Sequence, residues 1–166
     1  LFGLEVIVTC GSDEKCAAAI ELGAAHAINY QTTDFVDAVQ RWTEGRGVAV
    51  VLDMVGGDYV PRNLACLADD GRHVSIAFQH GPSAEVSIVD IMRRRLTLTG
   101  SFLRPRDLAF KTMVRDEIVE TVWPYVEGNR LKPVIDSKFP LAEAAAAHAR
   151  MESGEHIGKI VLEVAQ

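Results

Sequence analysis

Cysteine is scarce in this chain, and Cys10, Cys16 and Cys66 are the whole complement. They form no CxxC, have no histidine at ligand spacing and are odd in number, which argues against a disulfide framework or a zinc site and suits a reducing compartment such as the cytoplasm. Positive charge is short as well: 17 Lys and Arg stand against 23 Asp and Glu, a formal net charge of −6. A nucleic-acid surface needs clustered cations to displace counterions from phosphates, and the one basic run, Arg93 to Arg95, reads as a solvated helix end. No apolar run is long enough to span a membrane, and the opening residues lack the charged region and cleavage site of a signal peptide. The histidines show no HxxxH or HExxH spacing, no Ser, His and Asp arrangement suggests a triad, and the GxGxxG turn of dinucleotide-binding sheets is missing.

What is present is the composition of a folded protein, 48% hydrophobic and 24% charged over 166 residues, enough for one domain with a small appendage. The stretch EVIVTCGSDEKC sets the pattern. Glu5 to Thr9 read as a buried strand, Gly11 and Ser12 break it, and a helix follows with Ser12 as N-cap, Asp13 and Glu14 in its first turn and Gly23 closing it. Further strands are expected over Ala24 to Asn29, Val48 to Asp53 and Gly71 to Ala77, with helices over Asp34 to Thr43 and through Leu64, Ala65 and Leu67 between them. The unbroken apolar run VAVVLD suits a strand covered on both faces. This alternation predicts an α/β fold with a doubly wound, Rossmann-like parallel sheet.

One more strand is expected at Leu96 to Gly100, then a long helix over Arg106 to Val126 with Leu108, Met113, Ile118, Val122 and Val126 turned inward. From Leu131 the alternation stops, and PVIDSKF, an Ala-rich helix and GKIVLEV make an α+β tail too short for a core of its own. The expected division is residues 1–130 and 131–166. His73 reads as a packed or edge residue within a strand, and His148 as core or interface.

Open α/β sheets bind ligands beyond the carboxyl ends of their strands. An NAD site carries an acidic residue at the end of the second strand, whereas an NADP site has small or cationic groups that tolerate a phosphate. After Thr9 this chain has Cys10, Gly11 and Ser12, with Lys15 a turn further on. Gly11 offers room, Ser12 and the helix N-terminus offer donors, and Lys15 offers charge, with Asp13 and Glu14 opposing unless they face solvent. An ordinary βα turn is the competing reading. Tyr30 either reaches the same phosphate or caps the sheet edge. Gly56 and Gly57, after Asp53, either let a flat ligand lie against the backbone or make a plain turn. Ser101 to Arg104 follow the last sheet strand, where backbone groups could face a nicotinamide amide.

The segments VIVTCGSDEKCAAAIELGAAHAINY, VLDMVGGDYVPRNLACLADDGRHVSIA and HIGKIVLEV, taken in order, resemble the zinc-independent quinone oxidoreductase branch of the medium-chain dehydrogenase/reductase superfamily. The resemblance implies a Rossmann cofactor domain lacking its first strand and Gly-rich turn, followed by a tail that returns to the catalytic domain. It also implies an upstream part absent from this sequence, which does not begin with Met. The activity implied is hydride transfer from NADPH to a quinone or related enone, with an enoyl thioester as the alternative acceptor. Ser12, Lys15 and Tyr30 would lie on the 2′-phosphate side, and Gly56, Phe78, Phe102 and Leu103 near the nicotinamide half. No residue is assigned as a general acid. The strand edge at Leu96 to Gly100 would join two copies into a homodimer, so a non-catalytic dimerisation module is the reading from a different class.

Overall fold

The computed structural model describes residues 1–164. Compactness divides the chain into two units, Leu1–Pro105 and Arg106–Gln166.

The first unit alternates as the hydrophobic pattern predicts: β1 (Ile7–Cys10), α1 (Asp13–Glu21), β2 (His26–Asn29), α2 (Phe35–Trp42), β3 (Val48–Asp53), α3 (Tyr59–Cys66), β4 (Leu67–Ser75), α4 (Ile88–Arg94) and β5 (Thr97–Gly100). Caps set the helix starts. Ser12 Oγ accepts the Lys15 N–H at 3.3 Å ahead of α1, and one Asp34 carboxylate oxygen accepts the Val36 and Asp37 N–H groups at 2.8 and 3.2 Å ahead of α2. Beyond α1, Gly23 takes φ +105°, a backbone state that side-chain-bearing residues resist.

Every ladder in this unit is parallel. β1 pairs with β2, and β4 lies between β3 and β5. Among the described residues no ladder joins β1 to β3, so the expected sheet is present as two parallel pieces. In the doubly wound order 3-2-1-4-5-6, these strands match 2, 3, 4, 5 and 6, and the break falls where strand 1 of that order would lie. The pieces share a core: Ile28, Phe35, Ala38, Val39 and Cys66 are buried together, with Ile7, Val48, Val51 and Tyr59 packed against them. Each large apolar side chain fully withdrawn from water contributes roughly 1.5–3 kcal/mol. The regular part of β4 is Arg72 to Ser75, close to the expected strand. The irregular stretch before it, with Asp70 at φ +61°, is held by the arginine run: Arg94 donates to the Leu64 and Leu67 carbonyls, and Arg95 grips Asp70 at 2.7 and 2.5 Å.

Two burial expectations are corrected here. Val50 and Leu52 of β3 are 57% and 65% exposed, and Val6, ahead of β1, is 45% exposed, because only the face toward α2 and α3 is covered within this unit.

The second unit contains α5 (Leu108–Thr121), α6 (Trp123–Glu127), β6 (Ile135–Pro140), a 3₁₀ turn (Leu141–Glu143), α7 (Ala144–Glu152) and β7 (Lys159–Glu163), with β6 and β7 parallel. The single long helix expected is two, since the chain breaks at Val122 with Pro124 opening the next helix. Leu108, Met113 and Ile118 are 78%, 56% and 44% exposed rather than inward, and His148 is exposed. Helical spacing identifies an apolar face; it does not supply the element that covers it.

Candidate functional site

The turn that follows β1 gathers the residues expected there. Tyr30 follows β2 and donates its backbone N–H to the Cys10 carbonyl at 3.0 Å, which brings its side chain beside the turn. A Cβ placed on Gly11 would stand 2.9 Å from the Tyr30 hydroxyl, so the missing side chain is the space that the phenol tip occupies. Ser12 accepts from the Lys15 N–H and also binds the Glu14 carboxyl, which backbone hydrogen bonding and that contact hold below the usual carboxylate range. Asp13 is drawn aside by Asn29, whose Nδ2 donates to Oδ1 at 2.7 Å. Both acids that oppose an anion are thus engaged with neighbours. The Tyr30 hydroxyl is the side-chain donor placed beside Gly11, at the N-terminus of α1, and Lys15 stands in the first turn of that helix. Cys10 and Cys16 flank this turn, and burial together with the nearby Cys10 raises the Cys16 thiol.

The ends of β3, β4 and β5 form a second cluster. The Asp53 carboxylate closes the turn after β3, accepting the Val55 N–H at 2.7 Å and the Gly56 N–H at 3.2 and 3.3 Å. That turn is bonded to the loop after β4. Ile76 N–H donates to the Asp53 carbonyl at 2.7 Å, Gln79 N–H to that of Met54 at 3.3 Å, His80 N–H to that of Val55 at 2.7 Å, and Gly57 N–H to that of Gly81 at 3.1 Å. Gly56 and Gly57 have φ of +71° and +56°. A Cβ on Gly56 would lie 2.8 Å from the Gly81 carbonyl oxygen and 3.0 Å from Phe78 Cα. The open side of Gly56 therefore faces the partner loop, whose close approach is a physical reason for glycine there. The Phe78 ring meets Phe102 edge to face, centroids 6.1 Å apart, and both rings are more than half exposed, as is Leu103.

Beneath this cluster lies a pair that composition and spacing did not single out. Asp53 and His73 are 3% and 2% exposed, and His73 Nε2 stands 3.2 Å from Asp53 Oδ2 without the alignment of a good hydrogen bond. The signal was there in part, in an apolar run that ends in Asp before VGG and a histidine within a strand. Among the described residues no group of three or more His, Cys, Asp or Glu side chains could hold a metal ion. No helix among them is long and apolar enough to cross a membrane.

With this geometry in place, the relatives are informative. The family described as zinc-binding dehydrogenase matches residues 22–162, and the chain belongs to it, within the medium-chain dehydrogenase/reductase superfamily. The chain is 34% identical to a 2-haloacrylate reductase of Burkholderia sp. over 96% of its own length and 48% of that protein's. It is 32% identical to quinone oxidoreductase-like protein 2 of Bos taurus, over 95% of itself and 45% of that protein. Among solved structures, the Escherichia coli quinone oxidoreductase complexed with NADPH aligns with a TM-score of 0.80 at 27% identity, covering 97% of this chain and 50% of that one. The chain thus spans about half the length of the curated relatives it matches.

Proposed function

We propose that this chain supplies the NADPH-holding part of an oxidoreductase that delivers hydride to a quinone or a related enone. The observation that carries the reading is the turn after β1, where the absence of a side chain at Gly11 makes room for the Tyr30 hydroxyl at the start of α1, with Asp13 bonded to Asn29 and Glu14 to Ser12. The relative solved with NADPH supports the choice of cofactor.

When bound, the nicotinamide supplies the hydride; the protein's part is to hold, orient and shield. In this reading Lys15, Tyr30 and the α1 amides carry the 2′-phosphate, Ser12 serves chiefly as the cap that fixes them, and Gly11 is the space that admits the phenol. Gly56, Phe78, Phe102 and Leu103 stand on the nicotinamide side, with the two phenyl rings keeping water from the transfer. Quinones, enones and haloacrylates share an alkene conjugated to a carbonyl carbon, which is why relatives with different names fit one chemistry. An enoyl thioester belongs to the same class and is the second acceptor.

We also propose a homodimer through β5, whose residues Thr97 to Gly100 are all exposed and pair with β4 on one side only among the described residues. An open edge of this kind accepts another strand. A cytoplasmic location accords with three free thiols.

The cofactor reading is tested by Lys15→Ala and Tyr30→Phe in this chain. Each should lower NADPH affinity while leaving NADH unaffected, and equal losses for both cofactors would contradict the phosphate assignment. Rates of NADPH consumption with a quinone and with a crotonyl thioester, in a full-length protein containing this chain, separate the two acceptors.

A further inference from the structure

Asp53 and His73 sit on adjacent strands. His73 is opposite Val51 in the β3–β4 ladder and Asp53 opposite Ser75, so the two side chains reach each other diagonally on one face of the sheet. Both are almost fully withdrawn from water. A carboxylate in such a place is costly unless its lone pairs are taken. The Val55 and Gly56 amides take them at 2.7 to 3.3 Å, and the imidazole lies against the remaining side of Oδ2. The histidine itself is poorly served, since its Nε2 has no aligned partner. A buried polar atom left in that state calls for an explanation beyond packing, because an apolar side chain of similar size would fill the space without the cost.

We infer that His73 is a positioning residue for the cofactor turn and acts through Asp53. The imidazole, 3.2 Å from Oδ2, lies where it blocks rotation of the carboxylate away from the two successive amides that it grips. Those amides set the left-handed bend at Gly56, and the bend carries the backbone bonds that fix the neighbouring loop and Phe78. A tilt of the carboxylate is therefore transmitted to the nicotinamide side and has no path of this kind to the Gly11–Tyr30 turn. The inference rests on reading the Gly56–Phe78 cluster as the nicotinamide side.

The test uses this chain with two probes, NADPH and adenosine 2′,5′-bisphosphate, which carries the phosphate and adenosine but no nicotinamide. His73→Leu should weaken NADPH by about tenfold, the scale of a small misplacement of a positioning group, and leave the bisphosphate affinity unchanged. His73→Gln, which restores a donor near the carboxylate, should recover most of the loss. If His73→Leu lowers folding yield, Asp53→Asn serves in its place, with the same selective loss and faster amide exchange at Val55 and Gly56 in the absence of ligand. Equal weakening of both probes, or no weakening of either, overturns the role given to His73. Should the unaltered chain bind NADPH no more tightly than the bisphosphate, the nicotinamide-side reading itself fails and takes the inference with it, an outcome visible before any variant is made.

Discussion

At the scale of single residues, burial and neighbours decide how individual groups behave. Cys66 is 3% exposed, and burial pushes its thiol up to about 11, whereas Cys10 and Cys16 are half-buried. Since the thiolate is the reactive form, alkylation of the native chain at pH 8 should label Cys10, label Cys16 more slowly because its thiol is raised, and spare Cys66 until denaturant is added. Mass mapping of the peptides checks this, and early labelling of Cys66 would contradict the core around Phe35 and Ile28. Asp136 makes a second case. The Arg150 guanidinium, at 3.0 and 3.1 Å, and the Ile157 N–H, at 3.0 Å, hold its carboxyl well below the ordinary range. A depressed carboxylate stabilises the fold at every pH above its unfolded value of about 3.9, and that contribution disappears as the pH falls through the folded value. Asp136→Asn should therefore lower stability at pH 7 and flatten the acid limb of the denaturation curve, as read from denaturant midpoints across pH. An unchanged acid limb would place the carboxylate outside the Arg150 contact. Ser12→Ala should cost about 1 kcal/mol through the lost cap.

At the scale of elements, local chemistry was legible and coverage was not. α1 and α2 begin where Ser12 and Asp34 offer side-chain oxygens, and β3 runs over the six residues of VAVVLD. Those boundaries follow from groups adjacent in sequence. The exposure of Val50, Leu52, Leu108 and Met113 depends on which other element lies across from them, and apolar spacing is silent on that. The candidate site divides in the same way. Gly11, Ser12, Lys15 and Tyr30 could be proposed from one βα turn and the strand beside it. The Asp53–His73 pair joins residues on separate strands through a ladder register that sequence alone does not reveal. The role of Gly56 likewise emerges only once the Gly81 carbonyl is seen against it. Its consequence is measurable beside a control. Gly23 has φ +105° and open space within 4 Å of where a Cβ would stand, while Gly56 has φ +71° and a carbonyl oxygen 2.8 Å from that point. Alanine at Gly23 meets backbone strain alone, about 1–3 kcal/mol. Alanine at Gly56 meets strain and a steric clash, so its denaturant midpoint should fall further. A larger effect at Gly23 would reverse the assignment.

At the scale of the whole molecule, the chain is two units carrying the features of about half of each longer relative. The first unit holds both clusters of the candidate site; in the second, Ala147 alone is a buried hydrophobic residue among those described. In the function proposed above, cofactor recognition belongs to Leu1–Pro105. The central claim is that the turn after β1 selects a phosphorylated cofactor without a glycine-rich turn in this sequence. Calorimetric titration of the chain with NADPH and, separately, with NADH tests that claim most directly. The expected result is saturable binding of NADPH that is tighter than that of NADH by about tenfold or more, since a charge-assisted contact to phosphate is worth roughly 1.5–3 kcal/mol. Equal affinities, a preference for NADH, or no heat from either cofactor would contradict it.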